Sequence, residues 1–260
     1  MIPYTVSPPK PVRREVFNFK EPPEIQFEIN DVLAHGAKHP TPASKARPQW
    51  WKQIQPYHPD IKNDDYIEAG SGTIRTCPAI TDIQDFGYMI YLPFDLYVDA
   101  TDKNELKLAI PPRLAEEKPG YYVGHHFAWQ VEGFKIGEEF HPQHIKINPV
   151  FGVSTPKGYS AFMTHPTNRT DLPFRTMDSL VDTDTYTAFW TVIIFVKMGF
   201  KGVIEAGTPI LQVMPFKREE VWNSKVVPKN EEKWNRNWNG IKVKFYRTYK
   251  NFFWVRKRFN

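Results

Sequence analysis

Two groups of residues in this sequence carry side chains suited to chemistry. Four histidines, His125, His126, His141 and His144, lie within a stretch of twenty residues, in the company of Gln130, Glu132, Glu138 and Glu139. Imidazole and carboxylate groups that converge on one face of a jelly roll hold a divalent metal, which makes His125, His141 and His144 the candidate metal ligands. Neighbouring side chains on a strand face opposite sides, so His125 and His126 cannot both point inward. His141 and His144 flank Pro142, which places them in a turn. The competing reading is a histidine-rich loop with one or two rings hydrogen-bonded in the core. The second group is Asp182 and Asp184 in the run Val181-Asp182-Thr183-Asp184-Thr185-Tyr186. Such carboxylates, with Thr155, hold turns together by bonding to backbone amides. Cys77 precedes a proline in an apolar setting without a nearby base, which fits a small buried residue better than a nucleophile.

Strands must position these residues. Val150 to Val153 is a short apolar run, Thr155-Pro156-Lys157-Gly158 reads as a turn and Tyr159 to Met163 as a returning strand, together a hairpin. Thr187 to Val196 is rich in β-branched and aromatic residues, so it reads as a strand buried on both faces, entered through the turn at Asp182 and Asp184. Gly199 to Gly202 turns the chain, and Gly207-Thr208-Pro209 turns it again before a last core strand, Ile210 to Met214. Pro209 is allowed there because a strand's first residue need not donate to the ladder. Earlier, Thr73 to Cys77 reads as β structure, and Gly87 to Leu92 continues through Pro93 to Asp99, the proline marking a bulge or a change of sheet. Residues 70–216 are therefore expected to form one β-sandwich or barrel, with Ile193, Phe195, Ile210 and Val213 in or beside its core.

Twenty-four prolines against fourteen glycines, with 15% aromatics, suit short strands and rigid loops, not a helical bundle. The one cysteine excludes an internal disulfide framework. No run of eighteen apolar residues occurs and the first residues lack the apolar stretch of a signal peptide, so the expectation is a soluble protein with no membrane span, in a host cytoplasm or a virion. Residues 1–48 read as a Pro-rich extended arm with one edge strand at Phe27 and Ile29, followed by a helical turn at Gln49 to Ile54 whose paired tryptophans anchor a core. The net charge is +5, but residues 230–260 hold nine cations against Glu231 and Glu232, so the rest of the chain sums to about −2. In that tail, aromatics from Trp234 to Phe259 alternate with the cations. Two readings stand: stacking and phosphate neutralisation on nucleic acid, or a helix through Tyr246, Tyr249 and Phe253 docked on the domain.

Two resemblances add to this. The run LVDTDTYTAFWTVIIF at Leu180 to Phe195, with FKGVIEAGTPILQVMPF at Phe200 to Phe216, resembles the later half of the trimeric dUTPase and dCTP deaminase superfamily, over about forty residues. That resemblance implies a jelly-roll or β-clip fold, puts Asp182 in the place of the aspartate that helps activate water, and matches Gly207, Ile210 and Gln212 to a later strand. Tyr186, Gln212 and Arg169 are the corresponding substrate-binding candidates, Arg169 through His165-Pro166-Thr167-Asn168-Arg169-Thr170, a distant echo of a phosphate-binding motif. Tyr186 stands four residues after Asp182 where the pattern has three, and no glycine-rich phosphate-covering motif closes the chain. Trp50-Trp51-Lys52, Thr76-Cys77-Pro78, Thr155 to Ser160, Val181 to Tyr186 and Gly207 to Ile210 with Pro215-Phe216-Lys217-Arg218 are together similar to a family of large tailed phages that implies no assigned reaction.

The resulting expectation is an all-β jelly-roll or β-clip-like sandwich or barrel, with an arm at 1–48, one β domain at 49–216 and a basic aromatic tail at 217–260 packed on it. Its function reads as a non-enzymatic binding or structural module of phage type, with a protein partner or self-association. The alternative is a dUTPase-like nucleotide hydrolase or jelly-roll metal-dependent enzyme with a divalent metal. Nucleic acid is the tail's alternative partner.

Overall fold

Short apolar runs punctuated by proline and glycine give fourteen strands among the residues that the computed structural model describes, which are 23–60, 72–187, 190–219, 222–235 and 249–257. In chain order they are β1 Gln26–Ile29, β2 Thr41–Pro42, β3 Tyr88–Tyr91, β4 Leu96–Asp102, β5 Glu105–Ala109, β6 Val123–His125, β7 Ile145–Ile147, β8 Phe151–Ser154, β9 Tyr159–Thr164, β10 Phe174–Thr176, β11 Ser179–Val181, β12 Val192–Val196, β13 Lys201–Ile204 and β14 Pro209–Lys217. Among the helices are α1 Gln49–Gln53, α2 Pro78–Asp85 and α3 Pro112–Glu117. The chain divides into two units. One comprises Pro22–Ala46 and Phe86–Glu220, the other Met1–Glu21, Arg47–Asp85 and Val221–Asn260.

The first unit is all-β and jelly-roll-like, built from antiparallel sheets in the orders β11-β9-β14-β3-β2, β10-β12-β7-β6 and β13-β4-β5, with β1 paired to β8. One core unites them. Ile145, Ile147, Val192, Ile194 and Val196 enter it from the four-stranded sheet, and Met163, Ile210, Leu211 and Val213 from the five-stranded one. Of the expected core positions, Phe195, Ile210 and Val213 are buried and Ile193 is half-buried. The edge strand expected at Phe27 and Ile29 is β1. The break at Pro93 is a change of sheet, since β3 belongs to the five-stranded sheet and β4 to the three-stranded one.

Three local expectations need correction. Residues 150–163 do not form a hairpin: β8 pairs with β1, while β9 pairs with β14 at six consecutive positions, so the turn at 155–158 hands the chain from one sheet to another. The strand expected over Thr187 to Val196 begins only at Val192. The chain around Cys77 is helical. Pro78 opens α2, where its fixed φ fits and its missing N–H is no loss, and Thr81 N donates to Cys77 O at 3.1 Å. Cys77 itself is half-buried.

In the second unit, Trp51 on α1 is buried, as the paired-tryptophan reading expected. Arg47 bonds Asp85 at the end of α2, and Arg75 Nη1 donates to Lys52 O at 3.0 Å and Ile54 O at 2.8 Å. Of the tail, Tyr249–Phe253 forms one wide helical turn, and Trp254 Nε1 and Lys257 Nζ both donate to Asp82 Oδ2 on α2, at 2.8 and 2.6 Å. Residues 1–22 of the arm, Tyr246 and Phe259 lie outside the described residues. No helix of the described residues is long and apolar enough to cross a membrane.

Candidate functional site

Strand register brings the two aspartates to one place. β11 and β14 flank β9 on either side, with Val181 opposite Ala161 and Phe216 opposite Ser160. One step further along β11, Asp182 stands beside Ser160, whose hydroxyl donates to Asp182 Oδ1 at 2.6 Å. One step past β14, Arg218 N donates to Gly158 O at 2.9 Å, which anchors the arginine over the same corner. Its Nη1 donates to Asp184 Oδ1 at 2.8 Å, Tyr159 O at 2.7 Å and Ser160 Oγ at 2.9 Å, and its Nη2 donates to Asp184 Oδ2. Gly158 N–H adds a bond to Asp184 Oδ2 at 2.8 Å. Beneath, Thr155 and Thr183 share a buried hydroxyl-hydroxyl bond of 2.7 Å, and Thr155 N donates to Thr183 O.

The electrostatics follow from these contacts. The Asp184 side chain is only 3% exposed, and the Arg218 guanidinium, helped by the Gly158 amide, holds its carboxyl down at about 2. Asp182 is 59% exposed on its side chain, with the guanidinium 3.5 Å from Oδ1. Oδ2 of Asp182 has no partner among the described residues. Asp184 cannot act as a base, because both its oxygens are committed to a permanent cation. Asp182 keeps one oxygen toward solvent, with Tyr186 half exposed on the same turn and its backbone N–H bonded to Asp182 O at 2.9 Å.

The other site candidates lie elsewhere. Gln212 is fully buried on β14, opposite Thr164, four residues and about 13 Å along the strand from Phe216 and the Asp182 corner. Its Oε1 accepts from Thr167 N at 2.9 Å and Thr167 Oγ1 at 3.0 Å, and its Nε2 donates to Phe86 O at 2.6 Å. Arg169, in the same loop as Thr167, forks onto Asp171. That loop is pinned again by His165. Thr176 N donates to its Nδ1, so Nε2 donates to Arg169 O.

The histidines do not come together as one triad. His141 is fully buried and both its ring nitrogens are engaged: Gln143 N donates to Nδ1 at 3.0 Å, and Nε2 donates to Asp102 O at 2.8 Å. It braces the β4–β5 turn. His125, on β6, is exposed. His144 is fully buried 5.0 Å from His126 between ring centroids, and burial, then the neighbouring imidazoles, push it down to about 4. Among the described residues no group of three His, Cys, Asp or Glu side chains is placed to hold a metal.

Arg218, Ser160 and Gly158 are site residues that the reading of the sequence did not single out. The signal lay in Tyr159-Ser160 and Lys217-Arg218, where polar groups follow or open otherwise apolar strands.

No family model and no curated protein matches this sequence. Among solved structures, the chain is similar to a dUTPase from phage phi11 of Staphylococcus aureus, described for its coordination of a structural Mg(II) ion, with 9% identity, 80% of this chain and 97% of that one covered, and a TM-score of 0.35. It is also similar to the Staphylococcus bacteriophage 80alpha dUTPase with dUpNHpp, with 10% identity, 80% and 97% covered, and a TM-score of 0.36.

Proposed function

We propose that this chain is a non-enzymatic β module of phage type, a binding or structural protein in which the Asp182–Asp184–Arg218 corner fixes the loops at one end of the five-stranded sheet. The observation that carries this reading is the full commitment of Asp184 to Arg218 and the Gly158 amide, with Asp182 tied to Ser160 and the same guanidinium. Such a cluster joins the 155–158 turn, the 182–186 turn and the end of β14 into one rigid unit. The open edges supply the binding surface: Leu180 on edge strand β11 is 60% exposed and Val203 on edge strand β13 is 52% exposed. A second copy of the chain or another protein pairs there. Incubation of the full chain with dUTP or dCTP and Mg²⁺ tests the reading, with product release and melting temperature as readouts. Neither turnover nor a ligand-induced rise is expected.

One observation favours the second reading, a dUTPase-like nucleotide hydrolase. The Asp182 side chain is 59% exposed, on the same turn as the half-exposed Tyr186, where a water could be activated. Mg²⁺-dependent turnover that disappears in Asp182→Asn while the melting temperature stays put would establish it in place of the first.

A further inference from the structure

The four-stranded sheet has a second face, away from the core that receives Ile145 and Ile147. His144 precedes Ile145 on β7 and, by strand alternation, points to that face. His126 follows β6 and continues the pairing of His125 with Ile145 by one step, its N–H donating to His144 O at 3.3 Å. The two histidines are therefore cross-strand neighbours with their rings side by side, 5.0 Å apart between centroids and tilted by 35°. Phe195 continues the row on β12, 5.7 Å from the His144 ring, and Phe134 stacks on Phe195 at 6.1 Å to wall the site off.

Three nitrogens in this arrangement, Nδ1 and Nε2 of His144 and Nε2 of His126, are buried and have no hydrogen-bond partner among the described residues. Leaving them so is costly, and an apolar ring would pack the same space without that loss. Gln130 Oε1 accepts from Phe127 N at 2.9 Å, which fixes the amide in the turn that follows His126, and the Gln130 side chain favours the protonated form of the His126 ring. An outer partner of this kind orients an imidazole ligand.

We propose that His126 and His144 form a two-imidazole site for a late first-row transition-metal ion, Cu²⁺, Ni²⁺ or Zn²⁺, with Gln130 as its positioning residue. Neutral imidazoles suit these ions, and hard cations such as Mg²⁺ require oxygen ligands that the pair does not offer. The site uses neither Asp182 nor any group of the Asp184 corner, so it stands or falls apart from the function proposed above.

The test takes the full chain, its His125→Ala, His126→Ala and Gln130→Ala variants, and Cu²⁺, Ni²⁺, Zn²⁺ or Mg²⁺. Binding of one equivalent should raise the melting temperature by about 5 °C for the first three ions and leave it unchanged with Mg²⁺. Bound Cu²⁺ should show hyperfine coupling to two imidazole nitrogens. His126→Ala, at a half-buried position, should keep the fold and lose the shift and one coupled nitrogen. Gln130→Ala should weaken binding about tenfold, and His125→Ala should change neither readout. Absence of any metal-induced shift, a shift preserved in His126→Ala, or one lost only in His125→Ala would each overturn the proposal.

Discussion

Arg218 grips Asp184 with both terminal guanidinium nitrogens, one on each carboxylate oxygen, and the carboxylate it grips is almost wholly shielded from water. Only a planar two-pronged cation fits that pair. Arg218→Lys is expected to lower the melting temperature, and Arg218→Ala to lower it further, by about 5 °C or more, because it leaves a shielded carboxylate with one backbone amide. Ser160→Ala, which removes the bond to the exposed Asp182 and one acceptor of Arg218 Nη1 but leaves the two-pronged grip on Asp184 intact, should lower it less. Thermal melts of the three variants check the order; equal losses for Ser160→Ala and Arg218→Ala would contradict the role given to Asp184.

The same pair sets a pH dependence. The Asp184 carboxyl is held at about 2 in the folded protein, below its usual value of 3.8, chiefly by Arg218. A group whose folded value is depressed contributes stability that is present above the unfolded value and lost as pH falls through the folded one. The contribution should therefore be complete above about pH 4 and fade between about pH 4 and 2. Melting temperature followed from pH 6 to 2.5 should drop more steeply in the native chain than in Asp184→Asn. Parallel curves would show that the pair titrates without consequence for folding.

Much of this architecture was legible in the residues. The apolar run ending at Val196 and the Gly207-Thr208-Pro209 turn before Ile210 mark their strands by composition alone, and Asp182 and Asp184 announced a turn. Pairing was not legible. Val150 to Val153 and Tyr159 to Met163 look like two arms of one hairpin, because local pattern cannot reveal that β9 has a longer partner in β14 and β8 one in β1. The Arg218 contacts were hidden for the same reason: they depend on β11 and β14 lying on opposite sides of β9. Gln212 was singled out by resemblance as a substrate contact, and only its burial exposes it as a clamp between the Thr167 loop and Phe86.

That clamp makes a sharp prediction. Gln212→Leu preserves the volume but removes the acceptor for Thr167 N and the donor for Phe86 O. It should cost about 3 kcal/mol, as expected when a fully buried clamp to two half-buried backbone groups is removed. Gln212→Glu restores the acceptor and not the donor, and places a charge at a fully buried position, so it should be no better at neutral pH. Urea unfolding midpoints at constant slope give both values. A loss below about 1 kcal/mol for Gln212→Leu would show that the loop is held by other contacts.

Two glycines separate backbone strain from steric conflict. Gly87 and Gly158 both have positive φ, +77° and +88°, so each disfavours a side chain for conformational reasons alone. Around Gly158 a Cβ would meet nothing within 4 Å, whereas at Gly87 it would lie 2.1 Å from Val213 O. That oxygen belongs to β14, where Val213 pairs with Tyr88, the residue after Gly87, so relief requires the two central strands to move apart. Gly158→Ala should therefore cost about 1 kcal/mol, the penalty of the left-handed backbone, and keep its N–H bond to Asp184. Gly87→Ala should cost at least about 3 kcal/mol, since packed strands yield poorly to an overlap of that depth. Equilibrium unfolding of the two variants side by side decides the matter, and similar losses at both positions would mean that β3 and β14 separate easily and that the centre of this sheet is not rigid.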